Sequence, residues 1–275
     1  MINYFSEIVQ LTEIQFIYCI SAIFLAGIVR GFSGFALSAI VVASMAGILP
    51  TVELIPMVLV LEAIAGIVML RGGIRDANMP VVWALTFGSI IGLPIGLLVT
   101  VTLPVEASRM TALFLILFLS SIQLFKFAPN ILGTRMALYT AGIVAGIASG
   151  IAAVGGMVVA LYVLASERDP RSMRGAIVMY LFIGIFTSIF WHLFYGIMDM
   201  RAVMRGLVFI PILLVGIFIG FKLFSPKLQN FYKQFCLILL IFICIDSKIY
   251  SITRLIALSE YLDIKKKWAF NKRNY

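Results

Sequence analysis

Three ionisable side chains stand inside long apolar stretches: Arg30, Glu62 and His192. In a bilayer an ionisable group costs several kcal/mol (about 2.5–3.5 on the insertion scale) unless it is paired or faces water, so such residues are functional candidates by default. Arg30 directly precedes Gly31, Phe32, Ser33, Gly34 and Phe35. A helix that broke there would set free backbone N–H groups beside a guanidinium, and both supply donors to a small oxyanion. The blander alternative is an arginine that snorkels to the interface or pairs with a carboxylate. Glu62 is central to an apolar stretch with Gly66 and small residues beside it, so it could carry a proton, or be the permanent partner of Arg30. His192, the single histidine, lies within Phe190, Trp191, Leu193 and Phe194. It is a candidate relay, with a hydrogen-bonded packing imidazole as the alternative.

These residues must be positioned by membrane helices. Of the 275 residues, 63% are hydrophobic and 12% charged, and mean hydropathy is +1.12. That balance excludes a soluble enzyme. The net charge of +9 is concentrated at the ends of apolar runs and in the last residues, which reads as topology and lipid contact instead of nucleic-acid binding. Cys19, Cys236 and Cys244 lie in apolar runs without metal or redox spacing and read as buried thiols. One histidine gives no multi-histidine metal site, and neither a Walker sequence nor a GxSxG elbow occurs, so no cofactor, metal or catalytic residue is expected. The segment 1–12 has Glu7 and no basic start, so the first run is expected to remain in the mature protein.

Six runs fit simple spans: 54–70, 80–102, 107–125, 175–198, 203–221 and 234–252. Two runs, 14–49 and 136–166, would make straight helices of about 54 and 46 Å against a hydrocarbon core of about 30 Å. Each must tilt, break or fold back. Gly27, Gly31 and Gly34 centre the first; Gly142, Gly146, Gly150, Gly155 and Gly156 centre the second. Breaks are favoured, although glycine at spacing four also lets helices approach closely in lipid.

Shifting the chain by about 122 residues brings Gly34 near Gly155, Ile74–Asp76 onto Ile197–Asp199, Gly92 and Gly96 near Gly216 and Gly220, and Pro104 onto Pro226. The chain therefore divides into a first repeat, 1–126, a second, 127–250, and a tail, 251–275. Such duplication is the plan of secondary transporters, whose sites form at discontinuous helices. If each long run crosses once the repeats are parallel; if it enters and returns they are inverted. The basic loop residues divide six inside against seven outside in the parallel case and ten against three in the inverted case. The loops favour inversion and the basic tail opposes it. That tail interleaves Lys265, Lys266, Lys267, Lys272 and Arg273 with Trp268, Phe270 and Tyr275, as an interfacial lipid anchor does.

The strings Gly27–Phe35 (GIVRGFSGF) and Gly146–Gly156 (GIASGIAAVGG), each heading one half, resemble the TauE/SafE family of membrane transporters, the sulfite exporters, over roughly 16–250. After its GF this chain continues with Ala36, Leu37 and Ser38, where the family has further glycines. The resemblance implies an all-α, polytopic inner-membrane protein of about eight helices, here in two homologous repeats, each headed by a Gly-broken or re-entrant helix. It also implies a small anion as cargo: sulfite, a sulfonate or a related organosulfur compound. On this reading Arg30, Gly31, Ser33, Gly34, Phe35, Gly150, Gly155 and Gly156 hold the anion, and Glu62 or His192 couples a proton. The expected partners are the anion and the lipid bilayer, with no nucleic acid, and a homo-oligomer stays open. The alternative function is a membrane scaffold that docks a partner by its glycine faces.

Overall fold

The computed structural model describes residues 11–125, 135–166, 169–223, 234 and 237–247. The tail, Cys236 and Pro226 lie outside them. The described residues are helical, without strands: α1 (Glu13–Ser33), α2 (Leu37–Met45), α3 (Thr51–Asp76), α4 (Met79–Thr102), α5 (Val105–Leu124), α6 (Arg135–Ala152), α7 (Gly155–Ser166), α8 (Pro170–Phe194), α9 (Met200–Leu223) and α10 (Leu237–Ser247). Six of them, α1, α3, α4, α5, α8 and α9, are long and apolar enough to cross a bilayer. Phe87, Ile91, Phe114, Phe118, Phe186 and Phe218 stand exposed on their outer faces. Water would not tolerate so continuous an apolar surface, and lipid does. The chain is a multi-pass membrane protein.

Local chemistry explains where the helices begin and end. Thr12 and Gln15 form a capping box at the start of α1, and Asp169 caps α8 by accepting from the Ser172 N–H, with Pro170 in the first turn. That cap starts α8 five residues before the run 175–198 expected from hydropathy, and Gly196, at φ 64°, turns the chain after Phe194. Both long runs break. In the first, Gly34 takes φ 81° and its N–H caps the Arg30 carbonyl; Ala36 follows at φ 72° before α2. In the second the left-handed residue is Ala153, at φ 57°, and Gly155 and Gly156 open α7 in ordinary helical geometry. The expectation that glycine opens both breaks is therefore corrected for the second, where an alanine takes the strained conformation.

The remaining glycines bring helices together. A Cβ on Gly27 would meet the Leu213 carbonyl at 2.8 Å, and one on Gly31 would meet Gly220 Cα at 2.9 Å, so α1 and α9 touch backbone to backbone. The α4–α6 seam is built the same way, with Gly88 on Gly142 and Gly96 on Gly150, each Cβ meeting the partner Cα at 2.9 Å. In both seams residue numbers rise together, so each pair runs parallel. Arg205 pairs with Glu53, and Gly206 lies against Met57 and Val60, which puts the starts of α9, α3 and hence α1 at one end of the bundle. Residues 34–50 must then come back toward the end from which α1 set out. By the same logic Gly175, near the start of α8, sits against Asp76 and Ala77, beside the start of α4 and hence of α6. The stretch from Ala153 through α7 must therefore lead back toward the other end. Each long run is a hairpin, and the two enter from opposite ends.

Candidate functional site

Arg30 is wholly buried, and its Nη2 lies 3.0 Å from Glu62 Oε2, whose side chain is also buried. Its Nη1 donates to the Gly34 carbonyl at 2.5 Å. Where free N–H groups were expected beside the guanidinium, its contacts are therefore a carboxylate from α3 and the carbonyl that ends α1. Ser33 locks the turn: its hydroxyl lies 2.7 Å from the Val29 carbonyl and 2.8 Å from that of Phe35, and it accepts from the Phe35 N–H. Gly31, Gly34 and the buried Phe35 complete this turn, and Arg174 closes over it. The Arg174 Nη2 donates to the Gly31 carbonyl at 2.5 Å, and its guanidinium lies 5.3 Å from the centre of the Phe221 ring. Two like-charged guanidiniums, coupled electrostatically, thus flank the first break.

Glu62 also faces a cavity of about 60 Å³, lined with it by Ser89, Ser149, Ala153, Tyr180 and His192. A water needs about 10–15 Å³ of such space, so the cavity has room for about four waters or one small oxyanion. His192 Nδ1–H donates to the Ser188 carbonyl, 2.7 Å away, and its Nε2 is buried without a hydrogen-bond partner among the described residues. Glu62 Oε1 is likewise unpartnered there. Tyr180 lines the same cavity beside Ser89 and Ser149. Burying so many polar groups around a cavity is costly unless water or a ligand completes them.

The structure thus brings Arg30 and Glu62 into contact and places Glu62 and His192 on one cavity. The two breaks do not converge on a common point. The first lies beside Arg174, near the start of α8; at the second, Ala153 forms the cavity wall. The Arg30–Glu62 pair joins them. Gly150 packs on Gly96 and Leu97 and accepts from Thr100 Oγ1 at 2.8 Å, Gly155 lies against Ala145 and Ser149, and Gly156 against Leu181. Sequence reasoning passed over Arg174, Tyr180, Ser89 and Ser149. For Arg174 the signal was present: Asp169 and Pro170 mark a helix start that puts it one turn inside α8. Glu53, in the first turn of α3, is paired with the buried Arg205. Among the described residues no three His, Cys, Asp or Glu side chains converge to hold a metal.

A buried arginine–carboxylate pair thus stands beside a polar cavity, between two broken hairpins. The model of the family described as sulfite exporter TauE/SafE matches residues 19–246. The chain belongs to the TauE/SafE family. No curated protein and no solved structure matches it. TauE/SafE proteins are membrane transporters of the sulfite-exporter type.

Proposed function

We propose that this TauE/SafE member is a secondary transporter of the inner membrane that exports a small anion, sulfite, a sulfonate or a related organosulfur compound, coupled to a proton gradient. The observation that carries this reading is the Arg30–Glu62 pair, whose Glu62 lines a cavity together with His192. In low dielectric neither charge can be left alone, so the anion and the carboxylate compete for one guanidinium. When Glu62 takes a proton, through cavity water or from His192, Arg30 loses its counter-charge and accepts an oxyanion in its place. Anion and proton are then bound together and move in the same direction, so export is driven by the anion's own outward gradient and works against an inward proton gradient.

The helix pairings support the reading of 1–126 and 127–250 as inverted repeats. Under the shift of about 122 residues, α1 on α9 becomes α6 on α4, and α3 on α8 maps onto itself. Hairpins entering from opposite ends suit alternating access by rocking of one half against the other. The scaffold alternative loses its main support, because the glycine faces it would present to a partner are consumed in the α1–α9 and α4–α6 seams.

The test is sulfite-driven proton movement in proteoliposomes. The wild type is expected to acidify the lumen as sulfite enters and to alkalinise it as sulfite leaves. Glu62→Gln, which fixes the protonated shape, is expected to exchange sulfite for sulfite while moving at least tenfold fewer protons. Proton movement unchanged in that variant would remove Glu62 from the coupling step.

A further inference from the structure

At the end of the bundle where α3 finishes and α8 begins there is a second, larger pocket of about 560 Å³, lined by Arg71, Gly72, Arg75, Asp76, Arg171 and Arg174. Four guanidiniums face one lining carboxylate, and Asp76 already pairs with Arg75 at 3.0 Å. The neighbouring acid, Asp169, caps α8 at the Ser172 N–H. Positive charge is in surplus here, and its placement is unfavourable for the helices themselves. Arg71 and Arg75 are four residues apart on one face of α3, and Arg171 and Arg174 three apart on α8; like charges at these spacings repel. Arg171 and Arg174 also lie in the first turns of α8, where the helix dipole disfavours cations. Topology alone explains basic residues near helix ends. It does not explain four that converge on one concavity, nor why Arg174 reaches inward to the Gly31 carbonyl beside Arg30.

We propose that this pocket is a second oxyanion site, which gathers sulfonate- or sulfite-type anions before they pass Arg174 to Arg30. The designation of these anions as cargo rests on the transport reading above. An anion there relieves the repulsion within both arginine pairs, and the guanidinium fork matches two oxygens of a sulfo group. The sizes of the two spaces divide the labour. The outer pocket is large enough to hold an anion with its organic part and hydration water, whereas the cavity behind Arg30 admits about four waters' worth of ligand. A bulky sulfonate therefore binds outside and is not carried: it is an inhibitor.

Benzenesulfonate is the probe, and Arg71→Gln/Arg171→Gln the variant, since both side chains are exposed and their loss leaves the interior intact. By calorimetry in neutral detergent the full chain is expected to bind benzenesulfonate, and the double variant to bind it at least tenfold more weakly. In phosphatidylcholine vesicles benzenesulfonate inhibits sulfite flux without entering. In the same vesicles the variant raises the KM for sulfite about tenfold at low ionic strength, a difference that salt removes because the steering is electrostatic. Equal benzenesulfonate binding by wild type and variant overturns the site. So does an effect of the variant confined to vesicles containing phosphatidylglycerol, with no benzenesulfonate bound in detergent, since the pocket then holds a lipid headgroup. Benzenesulfonate binding that depends on Arg71 and Arg171 in a protein without sulfite flux keeps the site and fails the transport reading instead.

Discussion

Arg30→Ala is expected to abolish sulfite flux and also to weaken the fold, and the two effects are separable. Removing the guanidinium leaves Glu62 buried and uncompensated, and breaking a buried pair from one side costs about 3–5 kcal/mol. It also leaves the Gly34 carbonyl, at the end of α1, without the donor it has in the wild type. Removing both partners, Arg30→Ala/Glu62→Ala, relieves the uncompensated charge, so the double variant is expected to melt closer to the wild type than Arg30→Ala does. It should still carry no anion. Arg30→Lys sharpens the point. Lysine keeps the charge but cannot serve Glu62 and the Gly34 carbonyl with a planar fork, so the folded state is expected to survive with flux lowered by more than tenfold. Melting and flux measured on all three variants check this; flux near wild type in Arg30→Ala would take the cargo away from this site.

The sequence disclosed most of the frame because bilayer physics is restrictive. Runs of charge-free residues predict spans, and α3, α4, α5, α8 and α9 occupy five of the six predicted simple runs; α10 covers only part of the sixth within the described residues. The two over-long runs had to break, and both do. What hydropathy could not assign was the work of each glycine. Gly34 takes a left-handed turn, whereas Gly27, Gly31, Gly142, Gly146 and Gly150 admit a neighbouring backbone, and the two uses have the same local signature. The left-handed Ala36 and Ala153 carry no signature at all, because nothing in an alanine announces a positive φ. The site was legible in its charged parts and invisible in its neutral ones. Arg30, Glu62 and His192 stand out against lipid, but Ser89, Ser149 and Tyr180 are ordinary membrane-helix residues until three helices bring them to one cavity.

Gly150→Val is the complementary experiment, since it breaks the frame and leaves every charged residue in place. A Cβ at Gly150 would lie 2.6 Å from the Leu93 carbonyl oxygen and from the Gly96 carbonyl carbon, and these are backbone atoms that cannot rotate aside. Overpacking a well-filled core costs about 1–3 kcal/mol where side chains can yield, and here they cannot, so the cost is expected at or above that range. Separating α4 from α6 also breaks the Thr100–Gly150 hydrogen bond and parts Ser89 and Leu93 from Gly146, which adjoin in the cavity lining. The expected result is loss of the monodisperse peak on size-exclusion chromatography, or a melting temperature lowered by many degrees, together with loss of flux. Gly184→Ala is the control. Nothing lies within 4 Å of a Cβ at Gly184, and alanine gains about 0.8–1 kcal/mol over glycine in a helix, so that variant should fold as well as the wild type. A Gly150→Val protein that melted like the Gly184→Ala one would mean that α4 and α6 do not touch through their glycines. The hairpin made by α6 and α7 would then lose the contact that fixes its direction.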